Sequence, residues 1–147
     1  MILESSMHVL LIEDDLQLGA AIRRAFELDG VESVWVRRLE DARPLMRQAM
    51  PTVIVLSLSS PEQSLALLES VRGSGNTIPV VVTTSREGID DCIRALRLGA
   101  NDFVAKPVKM PELLVRVRGL MDRAAEITAV PLRTTALNQL MAAPSRR

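Results

Sequence analysis

The amino-acid sequence predicts an α/β domain with a doubly wound parallel sheet, and two observations lead to that prediction. Short runs of β-branched and apolar residues alternate along most of the chain with segments of helical period, the pattern of repeated β-α units. Three of the five runs are almost unbroken in apolar residues, as expected for strands covered on both faces. With 147 residues, 48% of them hydrophobic, the chain is long enough for one such domain with its own core.

The five predicted strands are short segments of high β propensity. In chain order they are HVLLI at 8–12, VESVWV at 31–36, TVIVL at 52–56, IPVVVTT at 78–84 and DFVA at 102–105. Because the strands are expected to be parallel, each connection should be a right-handed crossover through a helix.

Five helices are predicted between and after these strands. Pro44 in the second helix must lie in the first turn or kink the helix. The letters SPEQ at 60–63 fit a capping box at the start of the third helix, with Ser60 as N-cap. The predicted ranges are 15–28, 39–49, 61–72, 86–98 and 111–125.

The fourth helix carries apolar residues three or four positions apart, which predicts a stripe packed on the core. The stripe consists of Ile89, Cys92, Ile93 and Leu96. Cys92 is therefore expected to be a small buried hydrophobe. As the only cysteine, it excludes an intramolecular disulfide and fits a reducing compartment.

The strand and helix rhythm predicts one domain over residues 1–126, followed by a linker or flexible C-terminal tail over 127–147. In the tail, Pro131 and Pro144 bound one short candidate helix. The chain begins without a basic region followed by a long apolar stretch, so no signal peptide is predicted. No apolar run reaches the length that spans a membrane. We therefore expect a cytoplasmic protein without a membrane partner.

The composition also bears on the class of partner. The formal net charge is zero, so the basic excess of a nucleic-acid-binding domain is lacking. One Trp, two Phe and no Tyr leave little aromatic surface for stacking bases. A nucleic-acid partner is not expected for this domain.

Polar residues end several of the predicted strands. Glu13, Asp14 and Asp15 follow the first strand, and the third, fourth and fifth strands end at Ser57, Thr84 and Lys106. In a parallel sheet these carboxyl ends share one edge, where ligands bind at the switch point of strand order. Adjacent carboxylates suit a hard cation such as Mg²⁺, and a hydroxyl with an ammonium suits a phosphoryl oxygen.

The segments LLIEDD, PVVVTTS and GANDFVAKPV resemble those of the response-regulator receiver domain of two-component signalling, over roughly residues 8–125. The resemblance implies a flavodoxin-like (βα)5 fold with strand order 2-1-3-4-5. It assigns Glu13 and Asp14 to the metal-binding acidic pair, with Asp15 beside them. It assigns Thr84 to the switch hydroxyl, Phe103 to the aromatic that moves with it, and Lys106 to the phosphoryl-contacting lysine. The bond before Pro107 is expected to be cis.

The sequence departs from the family at Ser57, where the phosphate-accepting aspartate belongs. A serine hydroxyl is too basic to attack without a general base, and losing a carboxylate weakens a divalent-cation site. No cofactor is therefore required, and two readings of the pocket stay open. Either the remaining acids and Lys106 satisfy one another, with Lys106 leaning toward Asp14, or the pocket keeps weak Mg²⁺ binding. Thr84 and Phe103 also have plain structural readings, as a helix-starting residue and a core residue.

Receivers commonly signal through the face of helix 4, strand 5 and helix 5, where charged pairs join two receivers in the winged-helix transcription-factor branch. By resemblance, Asp102 and Arg116 match one such pair, whereas Glu112 and Arg118 lack their expected partners. A homodimer through this face is one expectation, and an ordinary solvated face is the other. The candidate interface residues are Arg94, Arg97, Asp102, Glu112, Arg116 and Arg118.

Three functions follow from these observations. The first is a phosphorylation-independent pseudo-receiver that binds a signalling protein. The second is the receiver module of a transcriptional response regulator without its DNA-binding output. The third is a small α/β enzyme or nucleotide binder, which is disfavoured because the chain has no glycine-rich phosphate loop and only one histidine. We expect a protein that is not an enzyme.

Overall fold

The computed structural model describes residues 8–129, and side chains through residue 124. Five strands alternate with five helices as the sequence predicts. The strands are β1 (His8–Ile12), β2 (Glu32–Val36), β3 (Val53–Ser57), β4 (Val80–Thr84) and β5 (Asp102–Ala105). The helices are α1 (Leu16–Leu28), α2 (Leu39–Gln48), α3 (Pro61–Gly73), α4 (Ile89–Arg97) and α5 (Met110–Ala129). Within residues 8–129, no helix is long and apolar enough to cross a membrane.

The strands form one parallel sheet in the order β2-β1-β3-β4-β5, which confirms the predicted order. The chain winds outward in both directions from the boundary between β1 and β3. Ser57 is the last residue of β3 and lies in register with Thr83 of β4. The carboxyl ends of β1, β3 and β5 therefore meet at one edge of the sheet, where the candidate pocket lies.

Each face of the sheet has its own core, because successive side chains of a strand point to opposite faces. Helices α1 and α5 cover one face, where Ile22 and Phe26 pack against Val117 and the strand valines. Helices α2, α3 and α4 cover the other, where Leu68 and Cys92 are buried. The buried strands β1, β3 and β4 explain the unbroken apolar runs, and Cys92 is buried as predicted.

Edge strand β2 differs from the three inner strands in burial. Its five residues are exposed or half-buried, because β2 has a neighbouring strand on one side only. Trp35 of β2 lies over Gly19 of α1, where a Cβ atom would collide with the indole ring. Only glycine fits this close approach of helix and strand.

Several predicted details of the helices are wrong. Ser60 holds the N-cap position of α3, yet its side chain makes no capping hydrogen bond, so the predicted capping box does not form. Pro44 lies inside α2, beyond the first turn, which excludes one of its two predicted alternatives and leaves the kink as a prediction. Residues 86–88 form a separate 3₁₀ turn before α4. Helix α5 continues past residue 125 to Ala129, and the predicted helix between the two tail prolines lies outside the described residues.

The predicted apolar stripe of α4 faces the core only in part. Cys92 is buried, but Ile89, Ile93 and Leu96 are 49%, 43% and 38% exposed. Ala95 is the second buried residue of the helix. The large apolar side chains of α4 therefore form an exposed row, which the periodicity alone assigned to the core.

Candidate functional site

The acidic turn after β1 contains one buried and one exposed carboxylate. Glu13 is 1% exposed, and its Oε2 accepts a hydrogen bond from the backbone N–H of Asp15 at 3.0 Å. Asp14 is exposed at the mouth of the pocket. The two neighbouring acids therefore experience different environments, because one has lost its water and the other has kept it.

Asp15 belongs to the helix rather than to the pocket. It is the N-cap of α1, and its Oδ1 accepts a hydrogen bond from the backbone N–H of Leu18 at 2.9 Å. This bond satisfies one of the free amides at the start of the helix. The prediction that groups Asp15 with the acidic pocket is therefore corrected.

Ser57 lies at the centre of a continuous hydrogen-bond path across the sheet edge. Lys106 Nζ donates to Ser57 Oγ at 3.1 Å, and Ser57 Oγ donates to Ser59 Oγ at 3.2 Å. Ser59 Oγ in turn donates to Asp14 Oδ1 at 2.8 Å. The path joins the ends of β5, β3 and β1 and runs from an ammonium to a carboxylate.

The loop after β3 supports this path. The backbone N–H of Ser59 also donates to Ser57 Oγ, at 3.2 Å, so the serine hydroxyl accepts two hydrogen bonds and donates one. Ser64, buried in α3, donates to the carbonyl oxygen of Ser57 at 2.8 Å. The loop without glycine therefore fixes both the side chain and the backbone of Ser57.

Lys106 pairs with Glu13 rather than Asp14, which corrects the expectation that it leans toward Asp14. Its Nζ lies 3.5 Å from Glu13 Oε1, but that oxygen accepts no hydrogen bond from the described residues. The ammonium thus lies between the Ser57 hydroxyl and the buried carboxylate. The peptide bond between Lys106 and Pro107 is cis, as predicted.

The pKa values of Glu13 and Asp14 are shifted in opposite directions. Burial raises the pKa of Glu13 above its usual value, although the Asp15 amide and Lys106 oppose the shift. The hydrogen bond from Ser59 is the main cause that lowers the pKa of Asp14. Asp14 is therefore a poorer proton acceptor than a free aspartate.

Two side chains of the β2 end hold the backbone of the acidic turn. The indole N–H of Trp35 donates to the Glu13 carbonyl at 2.8 Å. Arg37 donates through Nε and Nη2 to the Asp14 carbonyl at 3.3 and 3.2 Å. These bonds go to the backbone carbonyls and not to the carboxylates, and they fix the backbone from which the carboxylates project.

The donor set fits a divalent cation only in part. Glu13 and Asp14 supply the oxygen ligands that Mg²⁺ prefers, and Glu13 Oε1 is a buried acceptor without a hydrogen bond from the described residues. However, one of its neighbours is the Lys106 ammonium, and β3 contributes a neutral hydroxyl. Within the described residues, no cluster of three or more His, Cys, Asp or Glu side chains could hold a metal ion. Glu13 and Asp14 would be the protein ligands of a bound Mg²⁺.

The predicted switch residues lie on the α4 side of the sheet. Thr84 is buried, and its hydroxyl lies 3.2 Å from the Gly88 carbonyl and 3.3 Å from the Ser85 carbonyl. Phe103 is 38% exposed, so the alternative that it is a core residue is wrong. In this arrangement the Thr84 hydroxyl is engaged by the connection between β4 and α4.

We use the name α4–β5–α5 face for the surface that carries the exposed α4 row, Phe103 and the outer residues of α5. Arg116 forms a 2.8 Å ion pair with Asp102 and a 3.4 Å ion pair with Glu112, both within the same chain. Arg94 pairs with Asp91 at 3.2 Å. Arg97 is exposed.

Arg118 does not belong to this face. Its guanidinium donates to Asp29 at the end of α1, to the carboxylate at 2.9 Å and to the carbonyl at 2.6 Å. The prediction that groups Arg118 with the interface residues is therefore corrected. Its contacts tie α5 to α1.

Sequence reasoning missed three residues that shape the pocket. Ser59, Trp35 and Arg37 all act through contacts with the acidic turn. The spacing of Ser57 and Ser59 on either side of one apolar residue was an available signal. Trp35 and Arg37 alternate at the end of β2, but only the pairing of β2 with β1 brings them to the turn.

The chain is similar in sequence to response regulators. A family model described as the response regulator receiver domain matches residues 9–118. The swarming motility regulation protein RssB of Serratia marcescens is 41% identical over 120 residues, covering 81% of this chain and 55% of that protein. The transcriptional regulatory protein PrrA of Mycobacterium leprae is 31% identical over 148 residues, covering 97% of this chain and 62% of that protein. The chain thus spans little more than half the length of these relatives.

Solved structures agree with the fold. The receiver domain of the Francisella response regulator 1452 superposes with a TM-score of 0.74 at 26% identity, covering 80% of this chain and 98% of that one. A response regulator from Thermotoga maritima superposes with a TM-score of 0.72 at 23% identity, with the same coverage of 80% and 98%. The second likeness concerns the fold alone.

Proposed function

Because the chain belongs to the response regulator receiver domain family, we propose that it is a pseudo-receiver that signals through protein binding without accepting a phosphoryl group. The observation that carries the proposal is the environment of Ser57 at the end of β3. The family's acceptor aspartate belongs at this place. Here a neutral hydroxyl is already bonded to Lys106 and Ser59.

In the pocket the Ser57 hydroxyl bonds Lys106 and Ser59, and none of its hydrogen bonds goes directly to a carboxylate that could act as its base. Attack by Ser57 would require a group that removes the hydroxyl proton. That proton points to Ser59, whose own hydroxyl donates to Asp14. The Ser59 hydrogen bond lowers the pKa of Asp14, so the carboxylate at the end of the path is a poorer general base than a free aspartate.

Signalling by such a receiver depends on a partner. The phosphoryl group normally biases the arrangement of Thr84, Phe103 and the α4 surface. Without it, only a ligand with unequal affinity for two arrangements can shift their populations. We assign partner binding to the α4–β5–α5 face, since its exposed apolar row is bordered by charged side chains. A cytoplasmic location and a second signalling protein as partner belong to this proposal.

Intact-mass measurement after treatment with acetyl phosphate and Mg²⁺ tests the chemistry. We expect no gain of phosphate mass, and a Ser57→Asp variant treated in parallel serves as the comparison. An acid-stable gain that maps to Ser57 would overturn the proposal. A hydroxylamine-labile gain on the parent would mean that Asp14 or another carboxylate accepts the group.

A pair of variants tests where the partner binds. Arg116→Glu replaces the cation that holds Asp102 and Glu112, so it should weaken partner binding or self-association. Ser57→Ala should leave both unchanged, because it alters only the pocket. Affinity capture of the partner and sedimentation of the purified chain measure the two effects. If Ser57→Ala abolishes binding and Arg116→Glu has no effect, the pocket and not the α4–β5–α5 face controls partner binding.

A second candidate is the receiver module of a transcriptional response regulator. The relative named as a transcriptional regulatory protein aligns with 97% of this chain, which covers 62% of that relative. In this case the α4–β5–α5 face would join two copies of the receiver. Self-association that is lost in Arg116→Glu, without capture of another protein, would favour this second candidate.

A further inference from the structure

A polar cleft opens beside the pocket, above the point where the strand order reverses between β1 and β3. Its volume is about 310 Å³, within the usual range for small-molecule sites. One wall comes from the connection between β2 and α2, and the other from the connection between β3 and α3. The lining includes Asp14, Arg37, Arg38, Glu40, Ser60 and Gln63.

Of the charged side chains in the lining, two form an ion pair with each other and two do not. Arg38 and Glu40 form an ion pair with each other, so they offset one another. Arg37 bonds only the backbone carbonyl of Asp14 and forms no ion pair with the described residues. Asp14 Oδ1 accepts one hydrogen bond, from the Ser59 hydroxyl, and Asp14 also forms no ion pair with the described residues. The cleft therefore presents one guanidinium and one carboxylate.

The remaining donors of Arg37 are well placed for recognition. Its Nε and one Nη2 hydrogen are used on the Asp14 carbonyl, which fixes the plane of the guanidinium. The Nη1 hydrogens and the second Nη2 hydrogen remain, and they form an edge suited to a carboxylate. Because the Asp14 carbonyl holds Arg37, its side chain loses little freedom when a ligand binds.

We propose that this cleft binds a small zwitterion, an α-amino acid with a polar side chain. The ligand carboxylate pairs with Arg37 and its ammonium with Asp14. Ser60 and Gln63 offer a hydroxyl and an amide to the ligand side chain. A phosphate dianion is disfavoured by the Asp14 carboxylate, and a metal cation by Arg37.

Titration of the ¹⁵N-labelled full chain with L-serine, L-asparagine and L-glutamine tests the proposal. The titrations contain no phosphodonor and no divalent cation, so their result is independent of whether Ser57 accepts phosphate. At least one amino acid should give saturable shifts at the amides of Arg37, Ser59 and Gln63, with a Kd of about 1 mM or lower. N-acetylation or amidation of that ligand should weaken binding at least about tenfold, because each removes one charge.

Three variants locate the site. Arg37→Gln and Asp14→Asn should each weaken binding about tenfold or more. Ser60→Leu fills the cleft without altering a charge, and Ser60 makes no side-chain capping bond, so the fold should tolerate it while binding is lost. Arg24→Gln is the matched control, since Arg24 is an exposed α1 arginine paired with Glu27. Thermal melts verify that every variant is folded.

Three outcomes overturn the proposal. The first is that no amino acid gives a saturable titration. The second is that the capped derivatives bind as well as the free amino acid. The third is that binding survives in folded Ser60→Leu and Arg37→Gln, which would place the ligand elsewhere on the chain.

Discussion

Replacing Ser57 by aspartate should make the stability of the domain depend on Mg²⁺. Ser57 is 6% exposed, and its Oγ lies 3.1 Å from Lys106 Nζ. A carboxylate there would be the third in a small space, beside Glu13 and Asp14, with one ammonium to offset them. Without a cation, the repulsion among the acids should destabilise the variant. With Mg²⁺, the same three oxygen ligands favour binding.

Linkage gives the size of the effect. A ligand that binds only the folded state at a concentration of 100 times its Kd stabilises that state by about 2.7 kcal/mol. In a domain of this size each kcal/mol moves the melting temperature by roughly 4 °C, so Mg²⁺ should raise Tm by about 10 °C. For the parent we expect a rise of no more than about 2 °C, corresponding to less than about 0.5 kcal/mol.

Thermal unfolding followed by circular dichroism, with EDTA or with saturating Mg²⁺, measures this difference. Ser57→Asn is the matched control, because it has the shape of aspartate without the charge. The reasoning is refuted if Mg²⁺ raises the Tm of Ser57→Asp no more than that of Ser57→Asn. That result would mean that the loop after β3 keeps the third ligand away from the acidic pair.

Two further predictions concern single contacts. Ser59→Ala removes the hydroxyl that lowers the pKa of Asp14, so ¹³C-detected titration should show that pKa rising toward its ordinary value. The lowered pKa of Asp14 stabilises the fold at pH values above the pKa of the unfolded chain, and this stabilisation is lost as the pH falls through the folded-state pKa. The free energy of unfolding of the variant should therefore decrease less on acidification than that of the parent. An unchanged Asp14 titration would contradict this. Gly19→Ala collides with Trp35 and should destabilise the fold by about 1–3 kcal/mol. The control Gly119→Ala meets no atom within 4 Å and should stabilise α5 by up to about 1 kcal/mol, and chemical denaturation that shows equal effects would be inconsistent with the collision.

Most of the fold could be predicted because local pattern and topology rules agree. The almost unbroken apolar runs at 52–56 and 78–84 correspond to β3 and β4, whose residues are all buried. The helix ends were less accurate because propensity does not determine them. Met110 begins α5 one residue before Pro111, and Arg86 begins a 3₁₀ turn.

The α4 surface shows where periodicity fails. An amphipathic pattern gives the direction of the apolar stripe but not the width of the surface that covers it. Helix α4 rests on the edge of the sheet, where Cys92 and Ala95 suffice to fill the contact. Ile89 and Ile93 carry the same period, yet they remain exposed because no element of the described chain lies over them.

The pocket was predictable to the level of which strand ends meet, and no further. Glu13, Ser57 and Lys106 come together because parallel strands bring their carboxyl ends to one edge. Which of them pair depends on distances that the sequence does not contain. Lys106 lies between Glu13 and Ser57, and Ser59 supplies the link to Asp14.

The serine changes what holds the pocket together. An aspartate at the end of β3 would require a cation to offset the acids, whereas Ser57 passes a hydrogen-bond path from Lys106 to Ser59 and on to Asp14. Each polar group on this path has a partner of complementary character, whereas Glu13 Oε1 beside the path accepts no hydrogen bond from the described residues. We expect a receiver whose acceptor position is hydrogen-bonded in this way to be shifted by a bound ligand rather than by a phosphoryl group. The two surfaces proposed for such ligands are the α4–β5–α5 face, which lies away from Ser57, and the cleft beside Arg37, whose lining includes Asp14, Ser57 and Ser59.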